Sequence, residues 1–163
     1  MLIAVDTNVL LDLSDEIDDV TDAVFVIRRR LRKCQLVIPP TVREELAHEA
    51  IQAEDFAKQE TARRAFQVAR SLNIRPVDLL EPQHAAARRI GRHLRNLGLL
   101  PGEEINDALI LGEAALLHCA MLLTSDAHLR GLDFTTLAFE LQAWDATAPI
   151  IATPREIVHK FFV

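Results

Sequence analysis

Leu2-Ile3-Ala4-Val5 is an apolar block with no polar interruption, the pattern of a strand covered on both faces in a parallel sheet. It stops at Asp6-Thr7-Asn8. Apolar residues resume from Val9 to Leu13 as a short helix, and an amphipathic helix runs from Val20 to Lys33. Gln35 to Ile38 forms a second strand-like block, closed by Pro39-Pro40. Thr41-Val42-Arg43-Glu44 then has the form of a capping box, with Thr41 as N-cap and Glu44 three residues on. Ala50 to Ser71 lacks Gly and Pro and is rich in Ala, Gln, Glu and Arg, which predicts a long helix able to run on from the capped one. Asn73 to Val77 suits a third strand, and Pro82 to Asn96 a helix broken by Gly98 and Pro101-Gly102.

From Glu103 to Cys119 the apolar positions Ile105, Ala108, Leu109, Gly112, Ala115, Leu116 and Cys119 recur at helical spacing, with Asp107 off the centre of the stripe. Ala120 to Leu123 predicts a fourth strand. It closes on Thr124-Ser125-Asp126 and so repeats the feature at Asp6, an apolar strand ending at a carboxylate. Pro149 to Ala152 suits a last strand, and Thr153-Pro154-Arg155-Glu156 is a second capping box with Pro at the favoured first position. Strands alternating with helices predict an α/β fold, a three-layer α/β/α sandwich with a central parallel β-sheet. There is no internal repeat, low-complexity segment or linker.

The chain has 163 residues, half of them hydrophobic, the size of one α/β domain spanning 1–163. Its longest apolar stretch, Ala114 to Leu123, is interrupted by His118 and falls short of the roughly 18 residues that span a bilayer. The start of the chain has no basic region before its apolar run, and Asp6 interrupts that run, so a cytoplasmic location is expected. Cys34 and Cys119 are isolated and read as reduced core thiols. A net charge of −6 excludes nucleic-acid binding through bulk positive charge, so any such contact must be local. With one Trp and no Tyr, there is little material for base-stacking platforms.

In open α/β sheets the functional crevice lies at the carboxyl ends of the strands. Asp6 and Asp126 sit at strand ends, Glu45 in the first turn of a helix that follows a strand, and Asp107 early in another helix. Gathering four carboxylates is costly, since two unit charges about 4 Å apart repel by about 4 kcal/mol at an effective dielectric near 20. A divalent cation relieves that repulsion. Hard oxygen donors without thiolate or paired histidines suit Mg²⁺ or Mn²⁺, which keep waters and bind a substrate phosphate beside one or two carboxylates. The chemistry this implies is metal-assisted phosphodiester hydrolysis.

Val5-Asp6-Thr7-Asn8-Val9-Leu10, Glu45-Leu46, Asn106-Asp107-Ala108-Leu109-Ile110 and Leu123-Thr124-Ser125-Asp126 together resemble the ordered motifs of PIN domains. The closing Ile150-Ile151-Ala152-Thr153-Pro154-Arg155-Glu156 is similar to the C-terminal end of many bacterial PIN proteins. The resemblance spans nearly the whole chain and implies an acidic crevice for Mg²⁺ or Mn²⁺ and ribonuclease activity on RNA. Many bacterial members are VapC-type toxins held inactive by an antitoxin, and the resemblance also implies a homodimer. Carried onto matching positions, Asp6, Glu45, Asp107 and Asp126 become the metal-binding and catalytic acids. Asn8 and Thr124 or Ser125 become polar groups that orient them.

Each acid has a plainer reading. Asp6 and Asp126 can cap the helices that follow, with Ser125 a rival cap, and Asp107, Glu103 and Glu104 can complement a helix dipole. The capping box occupies Glu44 and leaves Glu45 without a local task, which favours Glu45 over Glu44 as the site residue. Arg88, Arg92 and Arg95 share a helix face that could follow an RNA backbone, as could the cluster Arg28, Arg29, Arg30, Arg32 and Lys33. Either could instead be a solvated face or meet an acidic protein. The alternative to a nuclease is a catalytically inactive PIN scaffold acting as a protein or RNA binding module, a role that tolerates incomplete acids. A phospho-acceptor Asp6 of the haloacid-dehalogenase kind would require a second Asp two residues on, where this chain has Asn8.

Overall fold

The structure, a computed structural model, describes residues 1–31 and 33–161. Arg32 of the basic cluster lies outside them. The strands are β1 (Leu2–Val5), β2 (Gln35–Ile38), β3 (Arg75–Pro76), β4 (Met121–Leu123) and β5 (Ile150–Ala152). The helices are α1 (Thr7–Ser14), α2 (Asp18–Arg30), α3 (Pro40–Gln52), α4 (Phe56–Ser71), α5 (Glu81–Asn96), α6 (Ile105–Leu116), α7 (Ala127–Arg130), α8 (Phe134–Gln142) and α9 (Pro154–Phe161).

The sheet has the order β3-β2-β1-β4-β5 and every neighbouring pair is parallel, with Ala4 facing Val37 on one side and Leu122 on the other. Ile3, Ala4, Val5, Val37, Leu122 and Leu123 are fully buried, so the uninterrupted apolar runs reflect a sheet covered on both faces. From β1 the chain builds outward to β2 and β3, then crosses back to add β4 and β5 on the opposite side. Connections therefore diverge at β1 and β4, and the gap they leave at the carboxyl ends of those two strands is where such sheets bind ligands. The Asp6 N–H still donates to the Leu123 carbonyl at 3.0 Å, and Thr124 N–H to the Ala152 carbonyl at 3.0 Å. The residues just past both strands are thus held by the ladder.

Three sequence expectations need correction, and one stretch of the chain holds helices that were not expected. Thr41 is not the N-cap of a capping box: α3 begins at Pro40 with Pro39 before it, and no local side chain caps it. The stretch after Ala50 is not one helix with α3. The chain turns at Ala53–Asp55, where the Asp55 carboxylate accepts from Ala57 N–H at 2.9 Å and starts α4, whose buried Ala62, Ala65 and Ala69 fold back into the core. Helix propensity alone could not show that break. The α6 stripe is too narrow as drawn, for Ile110, Leu111 and Ala114 are buried as well while Ile105 is 52% exposed, as expected of a helix packed on most sides. Finally, α7 and α8 carry no strong periodicity and announce themselves only by their caps, with Asp126 accepting from Leu129 N–H at 2.9 Å and Asp133 from Thr136 N–H at 2.8 Å. The second capping box is present: Thr153 N–H donates to Glu156 at 3.0 Å and Glu156 N–H to Thr153 Oγ1 at 3.2 Å.

Helices α5 and α6 approach closely because small residues face each other. A Cβ at Gly112 would sit 3.1 Å from the Ala87 carbonyl oxygen, and one at Gly91 would sit 3.1 Å from that of Ala108. Backbone cannot swing aside as a side chain can. Gly112→Val is therefore expected to cost about 1–3 kcal/mol as overpacking, lowering the melting temperature by roughly 2–10 °C for a chain of this size. Thermal unfolding followed by circular dichroism checks this, and an unchanged midpoint would show that the two helices can separate freely.

Candidate active site

Asp6 ends β1 and begins α1, so it stands at the opening between β1 and β4. Its Oδ1 accepts from Thr7 N–H at 2.6 Å and its Oδ2 from Thr124 Oγ1 at 2.6 Å, and only 2% of the residue is exposed. Burial pushes its pKa from the usual carboxylate range up to about 6. The charges of Glu45 and Asp126 add to that rise, against the two hydrogen bonds. Both readings of Asp6 hold together, since one oxygen caps a helix while the side chain as a whole lies among acids.

Asp107 sits in the first turn of α6, where a helix N-terminus would ordinarily favour the ionised form. Here the opposite wins. Partial burial, then the charges of Asp126, Asp6 and Glu104 and a hydrogen bond to Glu104, push its pKa up to about 7. Glu45 on α3 is held from two sides: its Oε2 accepts from Thr7 Oγ1 and its Oε1 from Asn106 Nδ2 at 2.6 Å. One carboxylate so links the starts of α1 and α6.

Asp6, Glu45 and Asp107 line one cleft of about 360 Å³ together with Thr7, Asn8, Leu11, His48, Glu49 and Asn106. Among the described residues that lining holds four acids and no Lys or Arg. Asp126 is outside the cleft wall, but its charge is felt by both Asp6 and Asp107, and its Oδ1 caps α7. Asn8 Oδ1 accepts from the Ser125 backbone N–H at 3.2 Å, tying the ends of β1 and β4. The Thr124 hydroxyl, fully buried, accepts from Asp126 N–H at 2.9 Å while donating to Asp6. Of the pair Thr124 and Ser125, the Thr124 side chain touches Asp6 and Ser125 contributes its backbone N–H. Glu44 is exposed and takes no part in the cleft.

Glu113 explains the missing cap of α3. From α6 its carboxylate accepts Thr41 N–H at 3.0 Å and Thr41 Oγ1 at 2.7 Å. It is buried, and burial raises its pKa despite those bonds. The helix bearing Glu45 is thus held by the helix bearing Asp107. Sequence reasoning did not single out Glu113, because its partner is 72 positions away. It also passed over Thr7, Asn106, His48 and Glu49, and took Glu104 only as a partner of the helix dipole. The signals were there for some: Thr7 and Asn106 stand inside the motifs, Glu104 is three residues before Asp107, and Glu49 lies four after Glu45 on one helix face.

The arginines of α5 fall outside this cleft. Arg88 and Arg92 are exposed, while Arg95 is half-buried and donates to the Gly102 carbonyl at 2.7 Å, so the three do not form one free face. Neighbouring Arg89 lies over the Trp144 ring at 5.3 Å, and His93 meets Glu140 at 2.8 Å.

Among the described residues no three His, Cys, Asp or Glu side chains are grouped tightly enough to enclose a metal ion. The cleft still fits a hard divalent cation in chemistry. It offers carboxylate oxygens, has no Lys or Arg among its described lining residues, and holds Asp6 and Asp107 with pKa values raised by burial and by neighbouring carboxylates. Mg²⁺ characteristically takes one or two carboxylates and keeps waters or substrate phosphate for the rest.

A family model for the PIN domain matches residues 3–135. In fold the chain is similar to VapBC2 from Rickettsia felis, solved bound to a DNA fragment from their promoter, with a TM-score of 0.65 and 14% identity over 94% of this chain and 98% of that one. It is also similar to VapBC-1 from nontypeable Haemophilus influenzae, with a TM-score of 0.56 and 17% identity over 94% of this chain and 98% of that one. No curated protein matches it in sequence.

Proposed function

The chain belongs to the PIN domain family, and from that premise we propose that it is a Mg²⁺- or Mn²⁺-dependent endoribonuclease, the toxin of a type II toxin-antitoxin pair. The observation that carries this reading is the cleft at the carboxyl ends of β1 and β4, walled by Asp6, Glu45, Asp107 and Glu49 with no Lys or Arg among its described lining residues. Asp6 and Asp107 are the donors assigned to the metal, Asp126 acts on both through its charge, and Glu45 completes the set. A divalent ion bound there supplies Lewis acidity to the scissile phosphate and lowers the pKa of water from about 16 toward neutrality.

The protein's own part is to hold these groups still. Thr124 and Thr7 fix the two oxygens of Asp6, Asn106 and Thr7 fix those of Glu45, and Glu113 locks α3 to α6. Preorganisation of this kind avoids reorienting the acids as charge develops on the phosphate. An antitoxin partner fits a fold shared with VapBC structures, and a homodimer fits the family. No helix of the described residues is long and apolar enough to cross a membrane.

The test is cleavage of a mixed pool of structured and single-stranded RNA by the purified protein with Mg²⁺, with Mn²⁺ and with chelator. Cutting with either metal and none with chelator is the expected result. Cutting that persists in chelator would remove the metal from the reaction. No cutting in any lane would favour the binding-module alternative.

A further inference from the structure

Away from the acidic cleft, on the outer edge of the sheet, two adjoining hollows share Asn73 and Arg75. One of about 420 Å³ is lined by Arg43, Arg70 and Arg75 over an apolar floor that includes Phe66 and Ile38. The other, of about 350 Å³, is lined by Arg28, Arg75 and Gln35. The first lies at the carboxyl end of β2 and the second at its amino end, so together they form one groove along the β3 edge. Among the described residues, no side chain lining either hollow is acidic.

A run of basic residues along one helix is usually a solvated face, but this groove is different in origin. Its four arginines come from α2, α3, α4 and β3, positions 28, 43, 70 and 75, and converge on one concave surface in a chain of net charge −6. Arg28, Arg70 and Arg75 have no carboxylate partner among the described residues, and Arg43 has only the exposed Asp78 at 3.4 Å. Arg75 is pre-aimed, since its Nε donates to Asn73 Oδ1 at 2.9 Å and Asn73 is fixed in the left-handed region at φ 49°. The four residues of β2 at about 3.3 Å each make a track of about 13 Å, long enough to seat more than one backbone phosphate. Arg43 and Glu45 leave α3 about 200° apart, which puts the groove and the acidic cleft on opposite sides of one helix.

We propose that this arginine groove along β3 binds the phosphate backbone of the RNA whose scissile bond lies in the acidic cleft, supplying the electrostatic hold that the cleft itself cannot. The inference rests on the nuclease reading, and it assigns the substrate a path around α3. An acidic cleft repels a polyanion wherever no metal intervenes, so affinity must come from cationic contacts elsewhere.

The experiment is fluorescence anisotropy with a labelled single-stranded RNA of mixed sequence across a salt series, on Asp6→Asn protein so that the probe stays intact. Arg70→Glu with Arg75→Glu is expected to weaken binding by about tenfold or more and to flatten the salt slope by about 1.4, two contacts at about 0.7 each. Arg70→Gln with Arg75→Gln should lose less. Arg155→Glu with Lys160→Glu, a matched charge change at the β5 edge, should leave affinity within about twofold, and circular dichroism melts confirm that each pair folds. Unchanged affinity and slope in the Arg70 and Arg75 pair would overturn the groove, as would an equal loss in the β5-edge pair. The Asp6-intact protein separates the two readings. If it cuts RNA while the Arg70 and Arg75 pair binds normally, only the groove fails. If RNA binding needs the groove but no metal supports cutting, the nuclease reading fails and the groove stands.

Discussion

Replacing Asp6 with Asn is expected to abolish RNA cleavage while making the protein more stable at alkaline pH. The two effects have one cause. Asp6 is 2% exposed and lies beside other acids, so its charge is expensive to keep in the folded chain, and on the proposed reading it is retained for chemistry. Loss of one metal-directed carboxylate removes several kcal/mol of transition-state stabilisation, about a thousandfold in rate at 1.36 kcal/mol per decade. On the stability side, its pKa rises from 3.8 unfolded to about 6 folded. Between those values the native chain holds a proton that the unfolded chain has released, so stability falls as pH rises through that window. Above it the charged carboxylate costs the native state on the order of 3 kcal/mol.

Asn removes that cost but can accept only one of the two hydrogen bonds from Thr7 N–H and Thr124 Oγ1, a loss of about 1 kcal/mol. The net gain at pH 8 is on the order of 2 kcal/mol, fading toward pH 4. Single-turnover cleavage and urea unfolding at both pH values measure the pair of effects. Cleavage at the parent rate would exclude Asp6 from the reaction. A variant that loses activity and stability together would show that the capping bonds of Asp6 outweigh the cost of its charge.

What the sequence revealed and what it hid divide along the range of the interactions. The apolar runs ending at Asp6 and Asp126 placed both strand ends, because burial on both faces of a parallel strand is a local pattern. The motif around Glu45 placed an acid that the fold then turned toward Asn106 and Thr7, on elements dozens of residues away. Thr41 shows the limit most clearly: its neighbour Glu44 made a credible local capping box, yet the group that caps α3 is Glu113, from another helix. Glu104 was readable as a dipole partner of α6 but not as an acid that helps raise the pKa of Asp107, since that depends on which way the two side chains turn. The β3-edge groove was invisible for the same reason. Only Arg28 of its four arginines stood in a cluster, and the other three stand apart in sequence.

Metal affinity is expected to fall about a hundredfold between pH 7.5 and 5.5. Carboxylates bind a hard cation only when deprotonated, so protons and metal compete for the same oxygens. With pKa values raised to about 7 for Asp107 and about 6 for Asp6, one proton competes just below neutrality and a second joins below pH 6. Affinity is thus flat above about pH 7.5 and approaches a slope of two decades per pH unit in acid. Because these groups repel each other, the two steps belong to the site as a whole. Calorimetric titration of Mn²⁺ across this range reads the slope directly, together with the protons released. Asp6→Asn should reduce the limiting slope from two to one. Glu104→Gln removes one of the charges and the hydrogen bond that raise Asp107, so it should move the fall to lower pH without changing its steepness. An affinity independent of pH would mean that the ion is held by groups other than Asp6 and Asp107. A slope that survives Asp6→Asn unchanged would remove Asp6 from the metal site while leaving Asp107 in place.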